Sequence, residues 1–199
     1  MRAAHTPLEG IMSPRRIPIV LIVLAAFIIV SAAFAGAAGN PFRIGIIGLD
    51  TSHSFAFASQ INDPARNYGM KVVCAWPGGS PDIESSASRV AEYTAQVRDS
   101  LRIEIVGSVE DLLKKVDGVL LESVDGRPHL ELARKVIRAN KPVFIDKPTA
   151  GSLGEVIEIF MLARQAGVPC WSSSSLRYSA GIAAARTNPE FGGDRKSVV

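Results

Sequence analysis

The sequence predicts an α/β fold built on a doubly wound parallel sheet, preceded by an N-terminal apolar helix that acts as a signal or an anchor. Short apolar runs typical of buried strands alternate with segments whose apolar residues recur at helical spacing, and this alternation is typical of parallel α/β folds. Asn140 and Gly167 follow two of the helical segments, where a left-handed residue commonly ends a helix. A charge-free run near the N-terminus predicts the separate apolar helix.

The strands and helices are predicted from local apolar patterns and from the turn residues that bound them. Segments that are short, apolar and bounded by turn residues are predicted to be strands: Arg43–Ile47, Lys71–Trp76, Ile103–Val106, Gly118–Leu121, Val143–Ile145 and Val168–Ser172. Segments with apolar residues at helical spacing are predicted to be helices: Ser52–Asn62, Ser86–Arg98, Val109–Lys115, Pro128–Ala139 and Leu153–Ala166, with a shorter piece at Gly181–Arg186.

Residues 1–38 are predicted to be a signal peptide or a membrane anchor. Arg15 and Arg16 precede an apolar run at residues 17–34, and Ala33-Phe34-Ala35 has the small residues of a cleavage site. The run is long for a signal peptide and barely long enough for a bilayer, which takes about 20 residues. We therefore expect an exported, periplasmic or extracytoplasmic protein, with cleavage favoured over anchoring by residues 17–34. The arginine pair also leaves twin-arginine export open, although the following residues match that motif poorly.

Two further domain limits follow from the alternation. Residues 39–178 are predicted to be the folded domain, and residues 179–199 the start of a truncated second domain with an artefactual tail. The last six residues, Asp194–Val199, read DRKSVV, which a common sequencing adapter would encode in one reading frame. We therefore expect that the gene was cut at a read end and that this fragment is inactive by itself.

Charge and cysteine content limit the classes of partner. Without residues 1–38 the chain loses three arginines and one glutamate, and its net charge falls from +3 to +1. A chain this nearly neutral has no basic face for nucleic acid. Cys74 and Cys170 lie in two different predicted strands, so we expect two buried free thiols.

One lysine stands out at the end of a strand. The segment Lys141–Ala150, K-P-V-F-I-D-K-P-T-A, contains an apolar run followed by Pro148, which cannot continue a strand ladder. Lys147 is therefore expected at the carboxyl end of a strand, the edge where ligands bind in open α/β sheets. An ordinary solvated turn lysine is the alternative.

The turn after the first predicted strand has an unusual composition. In a doubly wound fold this turn receives a dinucleotide's pyrophosphate, normally through the glycines of G-x-G-x-x-G. Here it reads Gly48-Leu49-Asp50-Thr51-Ser52-His53, so only the first glycine is present. Thr51 or Ser52 is expected to cap the following helix, whereas Asp50 and His53 could either cap or bind.

Three motifs together resemble the Gfo/Idh/MocA-type oxidoreductases, a family that includes glucose–fructose oxidoreductase and inositol dehydrogenase. The motifs are I-G-I-I-G at Ile44–Gly48, V-D-G-V-L-L-E-S-V-D-G-R-P-H at Val116–His129, and D-K-P at Asp146–Pro148. The family's counterparts are a glycine-rich first turn, a fourth strand leading to P-x-x-x-H, and E-K-P. The resemblance covers about Phe42 to Tyr178.

This resemblance implies a Rossmann domain that binds NAD or NADP, followed by a substrate domain that often carries the oligomer interface. It implies hydride transfer on a sugar, polyol or related hydroxyl compound, with Lys147 as the catalytic lysine beside nicotinamide and substrate. The residues that it places at the cofactor are Gly48, Leu49, Asp50, Thr51, Ser52, Asp125, His129, Asp146, Lys147 and Arg177. His129 is as well suited to local packing as to ligand contact.

The sequence departs from the family pattern mainly by adding acids. Asp146 replaces the glutamate of E-K-P, and Asp125 replaces the proline that lies four residues before the histidine in P-x-x-x-H. Asp50 and His53 replace two glycines of the first turn. Carboxylates at that edge would repel a pyrophosphate unless cations or protons compensate. They leave a metal or polyol ligand open, but most such acids are turn and cap residues, so no metal site is predicted.

Two other classes of protein stay open. The altered first turn favours a non-catalytic exported binding protein that kept the scaffold and lost the dinucleotide. An uncleaved leader would instead make the chain a membrane-anchored interaction domain. The sequence does not identify the substrate, the choice between NAD and NADP, or the oligomeric state.

Overall fold

Six parallel strands form one sheet in the computed structural model, which describes residues 40–187 apart from the side chains of Ser175, Arg186 and Thr187. The strands are β1 (Phe42–Ile47), β2 (Met70–Trp76), β3 (Glu104–Ile105), β4 (Gly118–Leu121), β5 (Val143–Asp146) and β6 (Cys170–Ser173). They lie in the order β3-β2-β1-β4-β5-β6. The predicted parallel α/β sheet is confirmed, whereas the predicted apolar helix at residues 17–34 lies outside the described residues.

Helices connect the strands. They are α1 (Ser52–Ile61), α2 (Glu84–Ala87), α3 (Val90–Ala95), α4 (Val109–Lys115), α5 (His129–Arg138), α6 (Leu153–Ala166) and α7 (Ala180–Thr187). A π-helical turn, Gln96–Ser100, continues α3, and a 3-10 turn, Ser175–Tyr178, follows β6. No helix within residues 40–187 is long and apolar enough to cross a membrane.

The single helix predicted at Ser86–Arg98 is wrong in its form. The structure has two short helices and a π-helical turn there, beginning at Glu84. The hydroxyl of Ser88 donates to the carbonyl oxygen of Glu84, and serine side chains that bond the backbone compete with helix continuation. The hydroxyl of Ser86 accepts a hydrogen bond from the backbone N–H of Ser80 and donates one to Asp50, 36 residues away, and the second bond fixes α2 by a tertiary contact.

Several helix ends have the predicted caps. Thr51 is the N-cap of α1, and its hydroxyl accepts a hydrogen bond from the backbone N–H of His53. Ser152 caps α6 in the same way. Gly167 ends α6 with φ 67°, and Asn140 has φ 55° just after α5. Both residues therefore adopt the left-handed conformation expected of them.

The core lies on the two faces of the sheet. One layer packs apolar side chains of β1, β4 and β5 against the helices α4, α5 and α6, and the other packs β1 and β2 against α1 and the π-helical turn. Cys74 is a buried free thiol, as predicted. The expectation that Cys170 is also buried is wrong, because it begins the edge strand β6 and is only partly covered.

The parallel register brings three turns to one edge of the sheet. Ile47 at the end of β1 pairs with Leu121 at the end of β4, and Asp146 at the end of β5 pairs with Ser173. The residues that follow these strands therefore meet at the carboxyl edge, where open α/β folds bind ligands.

Candidate functional site

Lys147 lies directly after β5, at the predicted edge. Its side chain is 55% exposed, and its Nζ lies 3.5 Å from Oδ2 of the buried Asp146. The Lys147–Pro148 peptide bond is cis. An exposed ammonium beside a buried carboxylate is held near the sheet edge and is still free to reach a ligand oxygen.

The carboxylate of Asp146 has a second partner on α1. His53 lies in the first turn of that helix, and its Nδ1 is 2.6 Å from Oδ2 of Asp146. The imidazole is 32% exposed, whereas the carboxylate is almost completely buried. The contact joins the first turn to the D-K-P motif, two segments that are 93 residues apart in the chain.

Glu122 is the functional candidate that sequence reasoning missed. It follows β4 and is 1% exposed, and neither of its carboxyl oxygens has a hydrogen-bond partner among the described residues. Burial and the neighbouring Asp146 raise its pKa to about 8. The signal in the sequence was an acid placed directly after the buried apolar strand Gly118–Leu121.

His53, Glu122 and Asp146 form a compact group, called here the His–Glu–Asp cluster. One nitrogen or oxygen atom from each side chain lies within 4.8 Å of the corresponding atoms of the other two. The cluster combines one imidazole and two carboxyl groups, which is a donor set found in transition-metal sites.

A cleft of about 480 Å³ opens beside this cluster. Its polar lining includes His53 and Asp146 of the cluster, together with Ser173, Ser174 and Tyr178. The hydroxyl of Ser173 is buried and has no hydrogen-bond partner among the described residues. Two groups beside Asp146, the Glu122 carboxyl and the Ser173 hydroxyl, are thus left unsatisfied.

Gly48 begins the turn after β1 with φ 97°. A Cβ at this position would lie 2.5 Å from the backbone nitrogen of Ser123, so glycine is required both by conformation and by space. The backbone N–H groups of Gly48 and Leu49 donate to the carbonyl oxygens of Trp76 and Pro77. These two amides are therefore engaged with the segment that follows β2.

Asp50 faces inward. The residue is completely buried, and its carboxylate accepts a hydrogen bond from the hydroxyl of Ser86 at 2.6 Å. It also accepts one from the backbone N–H of Val124 at 3.2 Å. Asp50 thus joins the turn after β1 to the segments that follow β2 and β4.

Asp125 is likewise bound within the protein. Its carboxylate accepts a hydrogen bond from the hydroxyl of Ser80 at 2.6 Å and pairs with the guanidinium of Arg127, which also pairs with Asp82. The hydrogen bonds from Arg127 hold the pKa of Asp125 far below its usual range. Asp50 and Asp125 each have their own partners, so the three acids expected at one edge do not converge on a shared ligand.

The remaining predicted site residues occupy varied environments. The ring of His129 is buried, with its nitrogens 3.0 and 3.2 Å from the carbonyl oxygens of Ser123 and Thr149. Burial lowers the pKa of this imidazole. Thr51 is buried as a helix cap, whereas Ser52 and Arg177 are exposed. Whether these residues contact a cofactor stays a prediction.

Comparison with known proteins agrees with the architecture. A family model described as oxidoreductase family, NAD-binding Rossmann fold, matches residues 42–174. The WlbA dehydrogenase from Bordetella pertussis, solved with NADH and UDP-GlcNAcA, is 18% identical, with a TM-score of 0.60 over 76% of this chain and 42% of that chain. The UDP-N-acetylglucosamine 3-dehydrogenase GnnA from Acidithiobacillus ferrooxidans is 22% identical, with a TM-score of 0.55 over 72% and 40%.

Biliverdin reductase from Synechocystis, solved with biliverdin and NADP+, is 18% identical, with a TM-score of 0.59 over 75% of this chain and 43% of that chain. The chain thus spans about two fifths of the length of these solved structures. No curated protein matches the sequence. The predicted cofactor class, NAD or NADP, is the class bound by the matched type of domain. The chain belongs to the Gfo/Idh/MocA oxidoreductase family and contains its NAD-binding Rossmann fold at residues 42–174.

Proposed function

We propose that this chain is the nucleotide-binding part of an exported NAD(P)-dependent oxidoreductase that acts on a sugar, polyol or related hydroxyl compound. The observation that carries the proposal is the position of Lys147, which follows β5 within the D-K-P motif and lies beside Asp146. The substrate class is supported by two similar solved structures, the UDP-N-acetylglucosamine 3-dehydrogenase GnnA and the WlbA dehydrogenase bound to UDP-GlcNAcA. The chain spans about two fifths of those proteins, so the full activity would also need a part that they contain beyond this domain.

The chain's own residues suggest what Lys147 does. An ammonium that is 55% exposed can approach a substrate hydroxyl or carbonyl oxygen while Asp146, 3.5 Å away, keeps it near the strand end. In that position it stabilises negative charge on the oxygen or exchanges a proton with it, which is general acid–base catalysis. His53 contacts the same Asp146 oxygen and so helps to fix the position of the carboxylate that holds Lys147.

The first turn does not fit a dinucleotide's pyrophosphate as this structure has it. A glycine normally lets the backbone approach the phosphates there, and the buried side chain of Asp50 takes that position. The Ser80–Asp125 hydrogen bond connects the segment after β2 with the segment after β4, and β1 lies between these strands. The bond therefore crosses the end of β1, where the pyrophosphate would lie.

The Ser80–Asp125 hydrogen bond across the end of β1 favours a second candidate function. In this alternative the chain is a binding protein that kept the Rossmann scaffold and does not use the dinucleotide. The Asp50 carboxylate accepts hydrogen bonds from Ser86 and from the backbone N–H of Val124, as an anion bound at this turn would. An internal carboxylate in that position makes an external phosphate unnecessary for the stability of the turn.

Calorimetric titration of NADH and NADPH into the chain separates the two candidates. For the oxidoreductase we expect saturable binding that weakens in Lys147→Ala but is unchanged in Lys141→Ala, because Lys141 precedes β5 at the opposite edge. If circular dichroism shows that the protein is folded and calorimetry shows no binding, the oxidoreductase proposal is rejected and the non-catalytic binding protein is supported. In that case Asp50→Gly tests whether Asp50 closes the turn, since restoring the glycine should restore binding.

The proposed export rests on the apolar run at residues 17–34 and on the arginine pair before it. Mass spectrometry of the N-terminus after expression in a bacterial host measures the outcome. A new N-terminus near Gly36 in the periplasmic fraction would support a cleaved signal, whereas an intact N-terminus in the membrane fraction would support an anchor. An intact protein in the cytoplasmic fraction would contradict export.

A further inference from the structure

The Glu122 carboxyl has hydrogen-bonding groups that the part of the chain described by the structure does not satisfy. Its side chain is buried, and both oxygens lack a hydrogen-bond partner among the described residues. An ionised carboxylate buried without a partner strongly destabilises the folded protein. Protonation removes the charge but leaves the hydroxyl and the carbonyl oxygen without partners. A ligand that accepts electron pairs from these oxygens would satisfy the ionised carboxylate.

The side chains that approach Glu122 are themselves metal-ligand types. Asp146 and His53 complete the His–Glu–Asp cluster, with one donor atom of each residue within 4.8 Å of the others. Donor atoms about 2.0–2.2 Å from one tetrahedral ion are roughly 3.4 Å apart. The donor atoms of the cluster lie within 4.8 Å of one another, so a pair at that limit would have to approach by about 1.4 Å to share one ion. The His53–Asp146 separation of 2.6 Å would have to widen by less than about 1 Å for both atoms to bind the same ion.

We propose that His53, Glu122 and Asp146 bind one divalent transition-metal ion. The ligands are Nδ1 of His53, one carboxyl oxygen of Glu122 and one carboxyl oxygen of Asp146. A neutral imidazole with two carboxylates suits Zn²⁺, Mn²⁺ or Fe²⁺ rather than Cu⁺, which prefers sulfur ligands. Of the three acids expected at this edge from the sequence, only Asp146 belongs to the cluster, because Asp50 and Asp125 are bound elsewhere.

The surroundings fit an open site rather than a closed structural one. Three protein ligands leave at least one coordination position, as in catalytic zinc sites. His53 and Asp146 line the cleft, so that position faces it. Ser173 pairs with Asp146 in the sheet, and its unpartnered hydroxyl is available to a metal-bound water. The site would therefore present a polarised water or a substrate oxygen to the cleft.

The positive charge of Lys147 would repel a metal ion bound in the His–Glu–Asp cluster. Its Nζ lies 3.5 Å from the same Asp146 oxygen that contacts His53. Two carboxylates outweigh one ammonium, and the lysine is exposed enough to move its charge into solvent when an ion binds. Metal binding itself does not depend on the proposed oxidoreductase function; only the role of the ion, polarisation of a hydroxyl or carbonyl oxygen, rests on it.

The test is titration of Zn²⁺ and Co²⁺ into the whole chain after chelator treatment, without nucleotide. We expect one equivalent of the ion to bind per chain with micromolar affinity or better. Bound Co²⁺ should give the visible absorption bands typical of sites with four or five ligands. Glu122→Gln should weaken binding about 10-fold or more. Asp82→Asn, which changes an exposed acid on the same edge, should bind like the wild type.

His53→Ala keeps the experiment decisive if Glu122→Gln does not fold, because His53 is partly exposed and its loss leaves a smaller gap. Absence of binding by the folded wild-type chain, or equal affinity in the wild type and His53→Ala, would overturn the proposal. Titration of NADH is measured separately, so failure of the metal site and failure of the oxidoreductase proposal give different results.

Discussion

The carboxylate of Asp50 accepts a hydrogen bond from the hydroxyl of Ser86 at 2.6 Å, although 36 residues separate them. Both side chains are completely buried. This contact holds α2 against the turn after β1. Among residues 40–187, the one further donor to the Asp50 carboxylate is the backbone N–H of Val124. A charge with so few donors makes each of them important for stability.

We expect Ser86→Ala to lower the free energy of unfolding by about 1–3 kcal/mol, because it leaves a buried carboxylate short of a donor. Ser88→Ala is the matched control, since the Ser88 hydroxyl is exposed and bonds only a helix carbonyl oxygen. The control should change stability by about 0.5 kcal/mol or less. Urea denaturation measures both, and equal effects in the two variants would contradict the role assigned to Ser86.

The turn after β1 should tolerate no side chain at Gly48. Gly48→Ala adds a Cβ 2.5 Å from the nitrogen of Ser123 at a residue with φ 97°. Gly69→Ala is the matched control, because Gly69 also has positive φ, 68°, but has no atom near its Cβ position. The control should lose about 1–2 kcal/mol from conformation alone. Thermal unfolding should show a larger loss for Gly48→Ala, and losses of the same size would exclude the steric contribution.

Arg127 should contribute more to stability than an ordinary surface arginine. Its guanidinium pairs with the buried Asp125 and with Asp82, whereas Arg98 pairs only with its exposed neighbour Asp99. Arg127→Ala would remove every guanidinium donor from the Asp125 charge and leave it with the Ser80 hydroxyl and the backbone N–H of residue 127. We expect a clearly larger fall in Tm for Arg127→Ala than for Arg98→Ala in differential scanning fluorimetry. A fall of equal size would mean that solvent already screens the Arg127 pair.

Acid should destabilise the protein through His129. Burial lowers the pKa of its imidazole in the folded state, and the unfolded value is about 6.5. As the pH falls below about 6.5, the unfolded chain therefore binds a proton that the folded chain does not, and the free energy of unfolding decreases. Above that pH the contribution is constant.

The pH experiment compares urea denaturation of the wild type and His129→Gln between about pH 5 and 8, a range that includes the ordinary pKa of histidine. Groups common to both proteins cancel in the difference. We expect the variant to lose less stability than the wild type on going to the acid end. A parallel decline in both proteins would show that His129 is not the titrating group.

The sheet could be predicted because its signals are local. Each strand is a short apolar run next to glycine, proline or charge, and every predicted strand overlaps an observed one. The helix after β2 was mispredicted because its course depends on the bond from Ser86 to Asp50, a residue distant in the chain. Periodicity within one segment contains no information about such a bond.

The position of the site could be predicted from the sequence, but the arrangement of its side chains could not. The D-K-P motif and the first turn were expected at one sheet edge, and the His53–Asp146 contact joins them there. Which way each carboxylate faces depends on tertiary donors, so the inward orientation of Asp50 and Asp125 was not predictable. Glu122 was missed because an acid after a strand usually belongs to a solvated turn, and its burial arises only when β1, β4 and β5 come together.

The strand order has a consequence for how the chain folds as it is made. β1 lies between β2 and β4, so one side of it can pair soon after synthesis while the other waits for β4. At ordinary speeds the ribosome takes roughly 4–15 s to add the residues between Ile47 and its partner Leu121. During that interval the half-sheet of β1, β2 and β3 exposes an unpaired edge on β1. The nascent chain is therefore most exposed to mispairing before β4 leaves the ribosome.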